Sequence, residues 1–423
     1  MQQSATESVL PRPALQRYYP WLVIAISFLT VGIAFGARNA FAVFLIAVTD
    51  EFHWSRGLAA GALMVGSILW TLSAPLIGIL LDRFGPRIVL PVGALTMAAG
   101  FVVSGLAHGI AEFYLGMGVL VGVGFAALPM TSQATFLSNW FVRKRGLAIG
   151  AAAAGIGMGI LVMVPLTQRL IAAYGWRTAY FILAAVLAAV VAPLNYFFQR
   201  RTPEEMRLRP DFGQAPGATR AARAASERAG PSLADALRTH RFWFFAFGVL
   251  AGSIPLHLVL IHQVAAVNDA GFSRDAAAFG LGMIGLFTAP SMVLMGLLAD
   301  RIGRRWAYLL GSASLIAGIF LLLLLRGAEQ RWLLYAFPPF IAFGFSSRQS
   351  LYPTLAADLF HGRSFGAIIG AIALFIGAGA GIGPWLGGVM HDATGSYRTA
   401  FLVAEVLASA SIALVWLAGS ERK

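Results

Sequence analysis

Gly78-Ile79-Leu80-Leu81-Asp82-Arg83-Phe84-Gly85-Pro86-Arg87 ends one long apolar run and begins the next, and the chain returns to it as Gly296-Leu297-Leu298-Ala299-Asp300-Arg301-Ile302-Gly303-Arg304-Arg305. Asp82 and Asp300 stand 218 positions apart. Three other pairs keep register at offsets of 218 to 221: Trp54-Ser55-Arg56 with Phe272-Ser273-Arg274, Gly124-Phe125 with Gly344-Phe345, and Trp176-Arg177-Thr178-Ala179 with Tyr397-Arg398-Thr399-Ala400. The sequence is a diverged tandem duplication. In each copy Gly85 and Gly303 permit the φ > 0 geometry of a tight reversal between two helices.

Composition sets the class. With 58% hydrophobic and 12% charged residues the chain cannot be a soluble globule, whose charged fraction is about a quarter. It reads as a polytopic membrane protein, with the lipid bilayer as its partner. The net charge of +13 gathers in loops between apolar runs and lacks the basic aromatic surface of a nucleic-acid binder, so no nucleic acid is expected. The chain has no cysteine, which excludes disulfides, thiolate catalysis and Cys-ligated metal sites. Lys144 and Lys423 are its two lysines, so it has no phosphate loop ending in Gly-Lys. There is no H-E-x-x-H and no G-x-S-x-G. Neither an enzyme nor a bound cofactor or metal is expected.

Twelve apolar runs, at 21–48, 58–81, 88–108, 113–137, 146–172, 177–198, 242–266, 277–298, 306–325, 332–356, 365–390 and 399–418, are each long enough to cross about 30 Å of hydrocarbon as a helix. Six fall in each repeat. The expected fold is all-α: twelve transmembrane helices in two pseudo-symmetric six-helix bundles at 20–198 and 242–418. A tail at 1–19, a linker at 199–241 and a short end at 419–423 complete the chain. Assigning loops alternately puts 22 of the 31 Arg and Lys residues on the side of the termini and seven on the other. Both termini are then cytoplasmic. The Arg220 to Arg228 part of the linker is a solvated tether in this reading, with a basic helix on anionic lipid as the alternative.

The doubled G-x-L-x-D-R-x-G-x-R loop resembles the signature of the major facilitator superfamily, and the likeness covers almost the whole chain. The resemblance implies a gating role: Asp82, with Arg83, Gly85 and Arg87, and Asp300, with Arg301, Gly303 and Arg304, would engage the opposite half and latch the outward-facing state. Without it, the two aspartates read as helix caps and topology signals.

Charge at membrane depth marks the candidate site. Arg38 lies 17 residues into the first run, about 6 Å past its middle. Arg348 lies 16 residues into the tenth, about 5 Å past its middle, and His257 is within about 4 Å of the middle of the seventh. An arginine there costs at least about 2.5 kcal/mol unless it faces water or a partner. The repeat aligns Arg38-Asn39 with Leu256-His257, whereas Arg348 aligns with Leu128. On helical spacing Phe35, Arg38 and Phe41 share a face, as do Phe345, Arg348 and Tyr352. Arginine forks with aromatic walls suit a small organic carboxylate. The competing reading makes the arginines structural partners of backbone carbonyls, or of Glu405 in the twelfth run, and His257 a packing residue. An unperturbed histidine titrates near about 6.5, so His257 is also the candidate for proton coupling.

Acids are otherwise confined to loops, which favours an anionic substrate over a cation or drug. Three further stretches resemble bacterial relatives of the monocarboxylate porters and oxalate/formate exchangers: Trp140-Phe141-x-x-x-Arg145-Gly146-Leu147-Ala148, Tyr174-Gly175-Trp176-Arg177, and Asp392-x-Thr394-Gly395-Ser396-Tyr397. Many of those keep a key arginine on the eighth span, often with an aspartate. Here 277–298 has neither, so the contact is expected at Arg38 or Arg348. The resemblance implies a secondary transporter of a small organic anion, best a monocarboxylate, moved with a proton or by exchange. It would act as a monomer in a bacterial cytoplasmic (inner) membrane. The alternative is a drug or metabolite exporter by proton antiport, favoured by Gly383-Pro384-Trp385-Leu386-Gly387-Gly388, a G-P-x-x-G-G segment that antiporters carry in the fifth span. The glycine-rich fifth and eleventh runs are expected at the seam between halves.

Overall fold

The computed structural model describes residues 13–141, 144–206, 232–360 and 364–419. Most of the expected tails, the Arg220 to Arg228 segment, Arg143 and Arg363 lie outside the described residues. Ten helical segments are long and apolar enough to cross a membrane. One of them, Arg145–Phe198, makes two crossings, because Gly175 at φ +79° reverses the chain within it. The thirty-residue helix Arg331–Phe360, polar around Arg348 and carrying Pro338, Pro339 and Pro353, supplies the twelfth. The fold is all-α, twelve membrane helices in two six-helix bundles, and the ordinal of a span below is its order along the chain.

The duplication governs the caps as well as the count. Ser55 opens the second span by accepting the Leu58 N–H at 3.2 Å, and Ser273 opens the eighth by accepting that of Ala276 at 3.2 Å. Gly85 (φ +76°) and Gly303 (φ +88°) end those same spans, their N–H groups bonding the Leu81 and Ala299 carbonyls. A side chain at either position would be strained by φ alone.

Glycine sets how the bundles meet. In the fifth span, a Cβ on Gly155 would run into the Phe28 backbone of the first span, whereas one on Gly157 would strike the Gly285 carbonyl of the eighth. In the eleventh, Gly379, Gly383 and Gly387 lie against Ser253, Ile254 and His262 of the seventh, while Gly377, Gly381 and Gly388 meet Thr71, Met64 and Gly57 of the second. Each of these spans thus turns one glycine face to its own bundle and another across the seam, and the G-P-x-x-G-G segment serves that packing. Towards the termini the faces separate: Gly146, Gly150, Gly366 and Gly370 have nothing within 4 Å of a built Cβ. Among the described residues the two bundles meet on the face opposite the termini and stand apart on the terminal face.

The start of the linker is tied down rather than loose. Trp140 Nε1 donates to the Arg200 carbonyl at 2.9 Å, Asn139 Nδ2 to that of Arg201 at 3.2 Å, and Arg201 Nη1 to that of Asp82 at 2.6 Å. At its far end Ser232 and Asp235 form a capping box that starts the short helix Leu233–Leu237.

Candidate functional site

The first span runs on as one helix past Arg38, with a single-residue break in the regular ladder at Ala40, between Asn39 and Phe41, where the backbone stays helical. Asn39 Nδ2 donates to the Phe35 carbonyl at 2.9 Å, which steadies the last turn before the break. From there Arg38 crosses to the second span and places Nη2 2.7 Å from Ser67 Oγ. Its Cζ lies 5.4 Å from the Trp70 ring centroid and 5.2 Å from that of Phe125. Phe35 backs Phe125 edge-on at 5.0 Å, and so does Trp70 at 5.3 Å. Of the five N–H groups of this guanidinium one has an acceptor among the described residues, and the side of the fork away from Ser67 is free to bind.

Arg348 is built differently. Nε donates to the Gly252 carbonyl at 3.0 Å, Nη1 to that of Gly344 at 3.0 Å and to Ser347 Oγ at 3.4 Å, and Nη2 to Ser312 Oγ at 3.4 Å. Tyr308 lies under it, 5.6 Å from Cζ to the ring centroid. Pro255 leaves the Ala251 carbonyl, four residues back, without its ladder donor, and the Gly252 carbonyl that Arg348 reaches lies next to that loosened turn. Arg348 therefore pins the kinked seventh span to the ninth and tenth, and its fork is occupied. Glu405 takes no part in this.

His257, one turn beyond Ser253, lies within electrostatic range of Arg38 and Arg348. Nδ1 lies 2.9 Å from the Ser253 carbonyl and 3.3 Å from Ser253 Oγ, whose own proton goes to the Ile376 carbonyl at 2.9 Å. A carbonyl can only accept, so Nδ1 carries the ring proton and Nε2 presents a lone pair. Nε2 has no partner among the described residues.

Of the residues expected to line the site, these three and Phe35 converge. Phe41 does not: six residues on from Phe35 it stands about 120° around the helix from it, and it is fully buried against Phe113, 6.4 Å between centroids. Phe345 is packed into the core, and the Tyr352 hydroxyl sits 3.4 Å from that of Tyr308 and 3.5 Å from the Val249 carbonyl, directed away from Arg38. Ser67, Trp70, Phe125, Ser253, Tyr308 and Ser312 were missed. Ser67 and Trp70, a serine and a tryptophan three apart on an apolar span, were the legible signal, since they share a helix face.

The repeated loops occupy the open face. Arg201 Nη2 is 3.9 Å from Asp82 Oδ1, and Asp82 is 81% exposed. Arg87 Nε donates to the Tyr196 carbonyl at 3.0 Å, Arg83 lies over Phe84, and Arg304 pairs with Asp358. Among the described residues neither Asp82 nor Asp300 has a partner in the opposite bundle, so a latch between halves is not made in this conformation.

The latch that is made lies on the closed face, and it is doubled by the pseudo-twofold. Arg56 holds Asp269 bidentately at 2.6 and 3.0 Å, and its mate Arg274 holds Asp50, at the end of the first span, at 2.7 Å. Asp392 of the eleventh span caps the second by accepting the Arg56 and Gly57 N–H groups at 2.9 and 2.7 Å. His391 Nε2 is 3.6 Å from Asp269, and Arg56 lies 5.2 Å over the Tyr397 ring. Sequence reading treated these arginines as topology. Exposed pairs are individually worth about 0–1 kcal/mol, so this latch biases an equilibrium rather than locking it. Replacing Arg56 and Arg274 together by glutamine should raise the population open on this face several-fold. In the cysteine-free chain, spin labels at Leu58→Cys and Ala393→Cys should then report a longer distance; an unchanged distribution refutes the latch.

Two six-helix bundles joined by ion pairs on one face, with buried arginines on facing spans, have the architecture of a membrane transporter. Residues 27–265 and 244–423 each match the Major Facilitator Superfamily, and the chain belongs to it. It is 27% identical over 387 residues to monocarboxylate transporter 13 of Bos taurus, covering 91% of this chain and 85% of that protein. It is 24% identical over 409 residues to monocarboxylate transporter 2 of Homo sapiens, covering 94% and 84%. It is also 27% identical over 387 residues to YcxA of Bacillus subtilis, an uncharacterized transporter of the superfamily, covering 89% and 90%. In fold it is similar to a bacterial homolog of the human lysosomal transporter Spinster in an inward-facing, unoccupied conformation, with a TM-score of 0.73 at 16% identity over 97% of this chain and 98% of that one.

Proposed function

We propose that this protein is a secondary active transporter of a small organic monocarboxylate, bound at Arg38 and moved by alternating access in a bacterial cytoplasmic membrane with both termini cytoplasmic. The observation that carries the reading is the Arg38 guanidinium: buried, walled by Trp70 and Phe125, and bonded among the described residues to Ser67 alone. A carboxylate needs two parallel N–H donors and an apolar wall for its short tail, and Arg38 offers both. The likeness to proteins named monocarboxylate transporters supports the same substrate class. The open face is then cytoplasmic, and Asp82 and Asp300 await the outward-facing state to engage. The test is uptake of radiolabelled lactate, pyruvate, oxalate, formate, acetate and aromatic acids into proteoliposomes. Uptake of none of them, with an organic cation carried instead, refutes it.

Coupling runs through His257. A proton on Nε2 is repelled by the two arginine charges until an anion lies between them, so proton and carboxylate favour each other's presence. Driving uptake with a proton gradient should therefore fail in His257→Gln, while exchange of internal for external substrate, which moves no net proton, continues. Gradient-driven accumulation at the wild-type level in that variant places the proton elsewhere.

A further inference from the structure

A hollow of about 560 Å³ lies at the terminal end of the C-terminal bundle, well within the range of small-molecule sites, which run from about 300 to 1,000 Å³. Four spans contribute to it: the seventh brings Arg241 and Phe245, the ninth Arg305, the tenth Leu355 and Asp358, and the twelfth Gly419. Phe245 and Leu355 are buried and apolar, so the charge of the hollow comes from the span ends.

The Asp358 carboxylate is already matched. Arg304 donates to it and, at 3.3 Å, to the Thr354 carbonyl. Arg305 is not matched: its guanidinium lies on Gly419, where a built Cβ would fall on it, and it has no acceptor among the described residues. Its mate at the 218-residue offset, Arg87, is held by the end of the sixth span, donating Nε to the Tyr196 carbonyl at 3.0 Å with Cζ 4.8 Å from that ring centroid. With Arg241 in the same wall, the lining carries two positive charges beyond the Arg304–Asp358 pair. The hollow also sits at the depth of lipid headgroups. Trp306 follows Arg305 and Trp416 stands just before Gly419; their rings meet edge to face at 5.1 Å and are 54% and 37% exposed. Exposed tryptophans at span ends mark the bilayer interface, and basic pockets between spans at that level suit anionic headgroups.

We propose that this hollow binds the phosphodiester of an acidic phospholipid, with the Arg305 fork on its oxygens, Arg241 as the second charge and an acyl chain leaving past Trp306 and Trp416. A free phosphate offers the same charge without the chain. The bound lipid would tie the ends of four spans together on the face where the bundles stand apart. The site is separate from Arg38 and does not depend on what that arginine binds.

The full-length protein in detergent micelles would be titrated with phosphatidylglycerol, phosphatidylcholine or inorganic phosphate at constant ionic strength. Bound lipid would be counted by native mass spectrometry and the unfolding temperature followed. A single phosphatidylglycerol should bind more tightly than any other lipid and raise the unfolding temperature, and neither phosphatidylcholine nor phosphate should reproduce the rise. Arg305→Gln should weaken that binding about ten-fold or more, the loss of a charge-assisted pair, and should unfold with wild type when no lipid is added. Ala357→Phe fills the hollow and leaves both arginines in place, so it should weaken binding as much. Arg238→Gln, at an exposed arginine of the same face outside the hollow, should leave it unchanged. The proposal is overturned if Arg305→Gln or Ala357→Phe keeps the full affinity, if Arg238→Gln costs as much as Arg305→Gln, or if phosphate alone gives the full rise. It is equally overturned if no lipid is preferred, or if a preferred lipid appears only in Glu421→Gln, which would give the hollow to the chain's own carboxylate.

Discussion

Substrate uptake will fall roughly 10- to 100-fold when Arg38 is replaced by lysine, although the charge is kept and the protein still folds. A carboxylate held by two parallel N–H groups of one guanidinium loses one of them to an ammonium, and a single hydrogen bond to a charged group is worth about 1.5–3 kcal/mol. The flat guanidinium also lies against both Trp70 and Phe125, an apolar contact that a compact, strongly hydrated ammonium makes less well. The structural role of Arg38 is confined to Ser67, so the unfolding temperature of Arg38→Lys should stay within a few degrees of wild type. Uptake at the wild-type rate, normalised to folded protein, removes Arg38 from the substrate site.

Replacing Arg348 by alanine has the opposite signature. Its guanidinium satisfies the Gly252 and Gly344 carbonyls and reaches Ser312, with the side chain 2% exposed. Removal takes away every one of these side-chain bonds, leaves Ser312 Oγ short of a partner and hollows the contact among the seventh, ninth and tenth spans. Each buried group left unsatisfied costs about 1–3 kcal/mol, and the whole loss is about 3–5 kcal/mol. The unfolding temperature should drop by several degrees or more, and the yield of monodisperse protein with it. If Arg348→Ala unfolds with wild type while uptake is lost, Arg348 contacts substrate and its assignment as a brace is wrong.

The two arginines were indistinguishable as letters. Both are single basic residues near the middle of apolar runs, and depth in a bilayer can be counted at a fixed rise per residue, so their burial and proximity to His257 were legible. What each fork bonds was not, since that depends on carbonyls brought in from other spans: Gly252, 96 positions from Arg348, and no such carbonyl for Arg38. That Phe35 backs the site and Phe41 does not follows from helix geometry, since six residues apart they stand about 120° from each other around the helix.

Sequence alone determined the twelve helices, the duplication, the positive-φ glycines at 85 and 303 and the transporter class, because each of these is set by hydrophobic run length, by register between copies or by a backbone requirement local to one residue. Tertiary structure alone decided which face is closed, that Arg56, Asp269, Arg274 and Asp50 close it, and that Arg348 is a brace while Arg38 keeps its fork open. These are contacts between residues one bundle or several spans apart. Their distances follow from how two rigid helix bundles lean on each other, a variable that local periodicity does not contain.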